Sequence, residues 1–411
     1  MKILKFLALP AALIMVGSCS HDPVYPSIGS LYVSTDPVGA EILIDGQTKN
    51  RLTPAKIDGI TVGWHTISLR YYRCKEWSQR LEIKPGQTRN LIIRMPYVVP
   101  GVIQRFHLTY FGVDMDYAPE VRKLFIANKS SIYLTELNLG DSTILYATSR
   151  LVGSWQYLVA ASAQANRIYA LINGDSLAVL ELNSGTLLKK IPPPRHLGVK
   201  NLTFSPDGQY LYAVNSADSS IFIFQTGSDT LIKSLKLGGE PNEIIGSLSN
   251  NELYITFDKE KRLARMDAGT GAQLAATATG NAPRGLFWDL ANQNIGLCNS
   301  TDRTLLVADA LGLGGAISPV FPYGTIVCDA CYSANGTHLW VLQSYPTSTG
   351  GDPPPPPGRL ALIYKPTWQF VGHYDLGSIP VKIAQSSDGR FIYVLNYLGQ
   401  DVMVFRTDLM N

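Results

Sequence analysis

From Gly29 onward the chain alternates apolar and polar residues in short runs, the period of two that half-buried β-strands require. Residues 30–35, 40–45, 65–70 and 90–94 each follow this pattern, and residues 36–39 (Asp-Pro-Val-Gly) and 45–47 (Asp-Gly-Gln) carry turn chemistry between them. The pattern predicts a small β-sandwich over residues 29–96.

Beyond residue 100 a second, longer period is laid over the first. A turn followed by an apolar pair recurs with Phe125, Tyr169, Tyr212, Tyr254, Gly296, Trp340 and Phe391-Ile392-Tyr393 at its end, in steps of 44, 43, 42, 42, 44 and 53 residues. The third unit is the clearest: apolar runs at 202–205, 210–215, 221–224 and 231–235 meet at turns rich in Gly, Asp and Ser. A period near forty with four short strands per unit predicts a seven-bladed β-propeller over residues 100–411. The last unit has only three evident strands, ending at 402–405. Residues 102–108 alternate suitably and are expected to complete that blade, closing the ring and removing its free edges.

Composition adds an export reading. The first nineteen residues place Lys2 and Lys5 before an apolar core from Phe6 to Val16 and then small residues, the layout of a secretory signal. Val16-Gly17-Ser18-Cys19 resembles the lipobox of bacterial lipoproteins. That resemblance implies cleavage before Cys19, lipid on its thiol, and, with Ser20 following, an outer-membrane location. Residues 20–28 then form a tether with two prolines. No other run is apolar enough to span a bilayer, so lipid on Cys19 would be the sole membrane anchor. The chain carries 35 basic and 32 acidic residues. That near-balance gives no electrostatic footprint for nucleic acid.

Two further resemblances follow. Pro37-Val38-Gly39-Ala40, Ile44-Asp45-Gly46, Thr53-Pro54 and Gly63-Trp64-His65-Thr66-Ile67 make the first domain similar to PEGA domains, which implies an anchoring or adhesive spacer without chemistry of its own. Val38 departs from that motif's Glu. The larger domain resembles YVTN-type propellers, whose motif Asn stands three residues after the anchor as Asn128, Asn215, Asn299 and Asn396. In the second unit this Asn shifts to Asn173, and Phe257 and Gln343 replace it in the fourth and sixth.

Several residue sets bear on chemistry. The repeated aromatics occupy one position in every unit and read as core. Six histidines are scattered without metal-ligand spacing, so neither a metal nor another cofactor is expected. In Cys328-Asp329-Ala330-Cys331, Tyr332 stands where haem attachment needs His, and residues three apart on a strand face opposite sides. Cys298 is therefore the candidate partner for Cys328 or Cys331, with free buried thiols the alternative. The run Pro353 to Pro357 reads as a solvated polyproline loop.

Aligning the units on their first strands brings out one row. The two positions before Met115, Val159, Leu202, Ile244, Leu286, Ala330 and Ile383 place Asp114, Lys200, Asn201, Asn242, Glu243, Arg284, Asp329 and Lys382 around one mouth of the central channel. Such a ring of opposed charges suits a polar ligand or partner. The expected function is a non-catalytic binding or scaffolding platform held in the cell envelope by lipid, with an envelope protein or polysaccharide as partner. The alternative is a hydrolase-like or metal-dependent enzyme at the channel mouth, using Asp114, Glu243 and Asp329.

Overall fold

The computed structural model describes residues 27–36, 38–71, 74, 76–95, 102–140, 143–173, 176–192, 198–247, 251–289, 293–318, 320–321, 326–333, 336–345, 357–377, 379–386 and 388–407. The leader, Cys19, the tether up to residue 26, His21, His196 and residues 353–356 of the proline run lie outside the described residues. The chain divides into two compact units, residues 1–96 and 97–411.

The first unit is two sheets around one core. The strands Ala55–Thr61, Ile28–Asp36 and Thr88–Arg94 form one sheet in that order, with Ile28–Asp36 antiparallel to the first and parallel to the last. Gln47–Leu52, Glu41–Ile44, Gly63–Arg70 and Trp77–Ile83 form the other. Alternate residues from both sheets, among them Leu31, Val33, Ile42, Ile67, Leu69 and Ile83, are buried together. Three strands escaped the sequence pattern for a physical reason. Gln47–Leu52 is an exposed edge strand of almost wholly polar residues, Ala55–Thr61 is broken by Gly59, and Trp77–Ile83 buries only Leu81 and Ile83. Pairing, not alternation, makes them strands.

Among the described residues, the second unit is built of seven four-stranded sheets, and in the first six the strands follow one another in chain order. Their first strands are Gly112–Ala118, Gln156–Ser162, Val199–Phe204, Pro241–Gly246, Pro283–Asp289, Ile326–Tyr332 and Pro380–Gln385. Each lies against the first strand of the next sheet, and the seventh lies against the first. The outermost strand of the seventh sheet is Val102–His107, antiparallel to Asp401–Arg406, with Phe106 opposite Val402. The fifth sheet ends in the short strand Gly315–Ile317.

Phe125, Tyr169, Tyr212, Tyr254, Trp340 and Tyr393 are all buried. In the fifth sheet Gly296 leaves that slot empty and Phe287, opposite it in the ladder, fills it. A Cβ on Gly296 would stand 2.2 Å from Phe287 Cζ, so only glycine admits the ring. The repeated asparagines are buried at the ends of second strands, where they tie the hairpin to the third strand. Asn128 Nδ2 donates to Tyr133 O (2.7 Å), Asn299 Nδ2 to Thr304 Oγ1 (2.9 Å) and Asn396 Nδ2 to Asp401 Oδ1 (2.6 Å). Asn215 Oδ1 accepts from the Ala217 N–H at 2.9 Å instead.

Candidate functional site

The seven first strands share a local irregularity. Their pairing with the second strands shifts register between Gly112 and Asp114, Gln156 and Leu158, Val199 and Asn201, Pro241 and Glu243, Arg284 and Phe287, Val327 and Asp329, and Pro380 and Lys382. One extra residue stands in the first strand at the same height in every sheet; in the fifth, Gly285 and Leu286 face Leu297 alone. Such a bulge breaks strict alternation and re-aims side chains. It explains how neighbours such as Lys200 and Asn201 both reach one space. In the fifth sheet the bulge depends on Gly285, at φ +60, where a Cβ would meet Cys328 O at 2.8 Å.

Asp114, Lys200, Asn201, Glu243, Arg284, Asp329 and Lys382 all line one cavity of about 410 Å³. A second cavity of about 300 Å³ shares Asp114, Asn201, Glu243 and Lys382 and continues past Asp116, Thr203 and Phe204. Asn242, expected in the ring, lines neither. Its Nδ2 donates to Pro283 O at 3.0 Å, so it ties the fourth sheet to the fifth.

The carboxylates do more than line a space. Asp114 Oδ2 accepts from the Val159 N–H at 3.0 Å, Glu243 Oε2 from Leu286 N–H at 3.0 Å, and Asp329 Oδ2 from Ile383 N–H at 3.0 Å. Each therefore clasps the first strand of the next sheet, at buried Val159 and Ile383 and at half-buried Leu286. Asp116, which sequence reasoning missed, does the same one step deeper, accepting from Ala161 N–H at 2.8 Å. The signal was available, since Asp114 and Asp116 are two apart on a strand and share a face.

Electrostatics distinguish the members of the ring. Burial pushes the Asp114 and Asp329 carboxyls up to about 6, against the pull of the Lys382 ammonium, and raises Asp116 as well. Lys382 Nζ stands 3.8 Å from Asp329 Oδ2, and that carboxylate above all holds its pKa high, so it stays charged. Lys200 is exposed, and Arg284 Nε is buried with no hydrogen-bond partner among the described residues. Three cations and three carboxylates thus face one space, with the carboxylates tied to backbone and the Arg284 Nε uncommitted.

Cys298, Cys328 and Cys331 are free thiols, so the expected bridge from Cys298 is not formed. Burial raises the Cys298 and Cys331 thiols well above their ordinary value and pushes Cys328, which lines the larger cavity, up to about 12. At neutral pH Cys328 is a thiol, not a nucleophilic thiolate. Among the described residues no group of three His, Cys, Asp or Glu is placed to hold a metal ion, and no helix is long and apolar enough to cross a membrane.

Residues 28–97 match the PEGA domain family. No curated protein matches the chain. Among solved structures, Kuenenia stuttgartiensis hydrazine synthase is similar at 15% identity and a TM-score of 0.59, over 76% of this chain and 97% of that one. A likeness at this identity concerns the fold alone.

Proposed function

We propose that the seven sheets are the blades of a β-propeller of YVTN type, and that the protein is a non-catalytic binding platform carried on an exported, lipid-anchored chain. The propeller reading rests on the cyclic contact of the seven first strands and on the outer strand Val102–His107 that completes the seventh sheet. The similarity to hydrazine synthase supports the architecture and transfers no chemistry.

One observation carries the binding reading: seven bulges at one height turn Lys200, Arg284 and Lys382, with three carboxylates, toward a single cavity of about 410 Å³. A polar ligand or partner bearing an acidic group would engage Lys200 and the uncommitted Nε of Arg284. Capture of partners from envelope extract by the chain lacking residues 1–19, beside Lys200→Ala/Arg284→Ala, tests this. These two cations are the right targets because Asp114 and Asp329 also hold the sheets together. A partner kept by the parent and lost by the variant supports the platform; a partner kept by both places the site elsewhere.

One observation favours an enzyme instead. Carboxyls near pH 6 suit general acid–base work. Both Asp114 and Asp329, however, already accept from backbone N–H groups, and among the described residues the cavity they line holds no thiolate or hydroxyl paired with a base. The binding reading is therefore preferred.

The anchor is proposed from the lipobox-like residues 16–19, with an outer-membrane location. Incorporation of labelled palmitate, abolished in Cys19→Ala, is the expected result, and equal labelling of both chains would remove the anchor.

A further inference from the structure

We propose that a groove on the first unit, beside Trp64, binds an acidic polysaccharide, independently of the cavity in the second unit. Trp64 is 59% exposed although it stands within a regular strand. Its ladder partner is Glu82, and the Arg80 guanidinium lies 5.6 Å from the ring centroid, held as a cation against an aromatic face. From Trp64 a cavity of about 630 Å³ runs along Trp77–Ile83, round the turn at Lys84 and Gln87, and onto Thr88–Asn90.

Three features of this groove point to one ligand chemistry. The first is an exposed indole, whose flat apolar face matches the C–H face of a sugar ring. The second is charge: Arg80, Lys84 and Arg89 are exposed against the single carboxylate of Glu82, and none of the four forms an ion pair among the described residues. Guanidinium groups in this state favour carboxylates, which they bind in a bidentate fork. The third is hydrogen bonding. Gln79, Gln87 and Asn90 present side-chain amides to the same space, and both lining strands are outermost in their sheets, so among the described residues no further strand pairs their outer edges.

Stacking, amides and cations together describe a chain of uronic acid residues. An acidic peptide strand would use the same free edges and cations. It would also need apolar pockets for alternate side chains, and beyond Trp64 and Leu81 this lining is polar. The peptide is thus the alternative the experiment must reject.

The test uses the chain lacking residues 1–19 and affinity electrophoresis with calorimetry. The probes are polygalacturonate, its methyl ester and poly-glutamate. Polygalacturonate should bind, and its methyl ester should bind about tenfold more weakly. Trp64→Ala should weaken binding about tenfold, Trp64→Tyr should retain most of it, and Arg89→Ala should weaken it severalfold and flatten its salt dependence. Trp64→Ala should still capture the partner that Lys200→Ala/Arg284→Ala loses, which separates this groove from the cavity of the second unit. Trp64 is exposed, so an unchanged melting temperature shows that its variants remain folded. The proposal is overturned if polygalacturonate fails to bind the parent, if binding survives Trp64→Ala unchanged, or if poly-glutamate binds as tightly.

Discussion

Nδ1 of His65 lies 2.6 Å from Oδ2 of Asp45, joining two motif segments of the first unit across twenty residues of chain. Nε2 of the same ring is 2.8 Å from Thr61 O, which can only accept, so Nε2 donates and the ring facing the carboxylate carries protons on both nitrogens. The hydrogen bond from His65 lowers the Asp45 carboxyl, and the same bond raises the His65 imidazole. The raised histidine contributes stability that is full below its unfolded value near 6.5 and lost as pH rises through the folded one. The lowered aspartate contributes above its unfolded value near 3.8 and is lost below it. The first unit should therefore melt highest between about pH 4.5 and 6 and lose on the order of 0.5–1 kcal/mol toward pH 9. A pH series of melting curves should show this slope in the parent and not in His65→Gln; an identical slope in both would dismiss the pair as its source.

The second unit should become more stable on mild acidification, through a different pair. The Asp114 and Asp329 carboxyls are raised by burial to about 6, so the stability they contribute is full below about 3.8 and lost as pH climbs to about 6. Melting temperature should fall between pH 4.5 and 7 in the parent. Asp329→Asn keeps an acceptor for the Ile383 N–H and should flatten part of that slope, whereas Asp329→Ala orphans the N–H and should cost about 1–3 kcal/mol at any pH. Equal losses from the two substitutions would show that the clasp contributes nothing.

Removing residues 100–109 takes away the outer strand of the seventh sheet. It uncovers Val402 and Val404 and deletes buried Leu108 and half-buried Phe106 from their cluster. The loss of one buried and one half-buried side chain alone is worth about 2–4 kcal/mol. The second unit should melt several degrees lower, and unchanged melting by calorimetry would show that this strand is dispensable.

Gly296→Ala drives a methyl into the Phe287 ring and should cost about 1–3 kcal/mol. Phe287→Ala should cost about 3–5 kcal/mol by emptying the slot. Combining the two should relieve the clash, so that the double variant is more stable than the sum of the singles predicts. Strict additivity in urea titrations would mean that the ring does not fill the glycine's place.

Thiol counting addresses the cysteines. With Cys19 removed, the unfolded chain should give four reactive thiols without reductant, while in the folded chain Cys298 should be protected and Cys328 and Cys331 should react slowly at pH 8. Fewer than four in the unfolded chain would restore a disulfide.

Much of this protein is written in local pattern. Alternation located the core strands of the first unit, and the forty-residue period located every second strand of the other, because burying one face of a pleated strand imposes a period of two and repeating a four-stranded sheet imposes the longer one. The row that gathers Asp114, Lys200, Glu243, Arg284, Asp329 and Lys382 was legible for the same reason: equivalent positions in equivalent sheets fall at equivalent heights. What each member does was not legible. Asn242 and Glu243 are adjacent in sequence, yet one turns to Pro283 O and the other clasps Leu286, because a bulge decides the direction of each. Asp329 reads in sequence as a charge at the channel mouth and is buried on a neighbouring strand's N–H in the fold. Polar edge strands such as Gln47–Leu52 exist only because a partner supplies the ladder. Sequence fixes which face of a strand is apolar; only the packing of one sheet on the next settles which polar groups meet, since those meetings join residues more than forty positions apart.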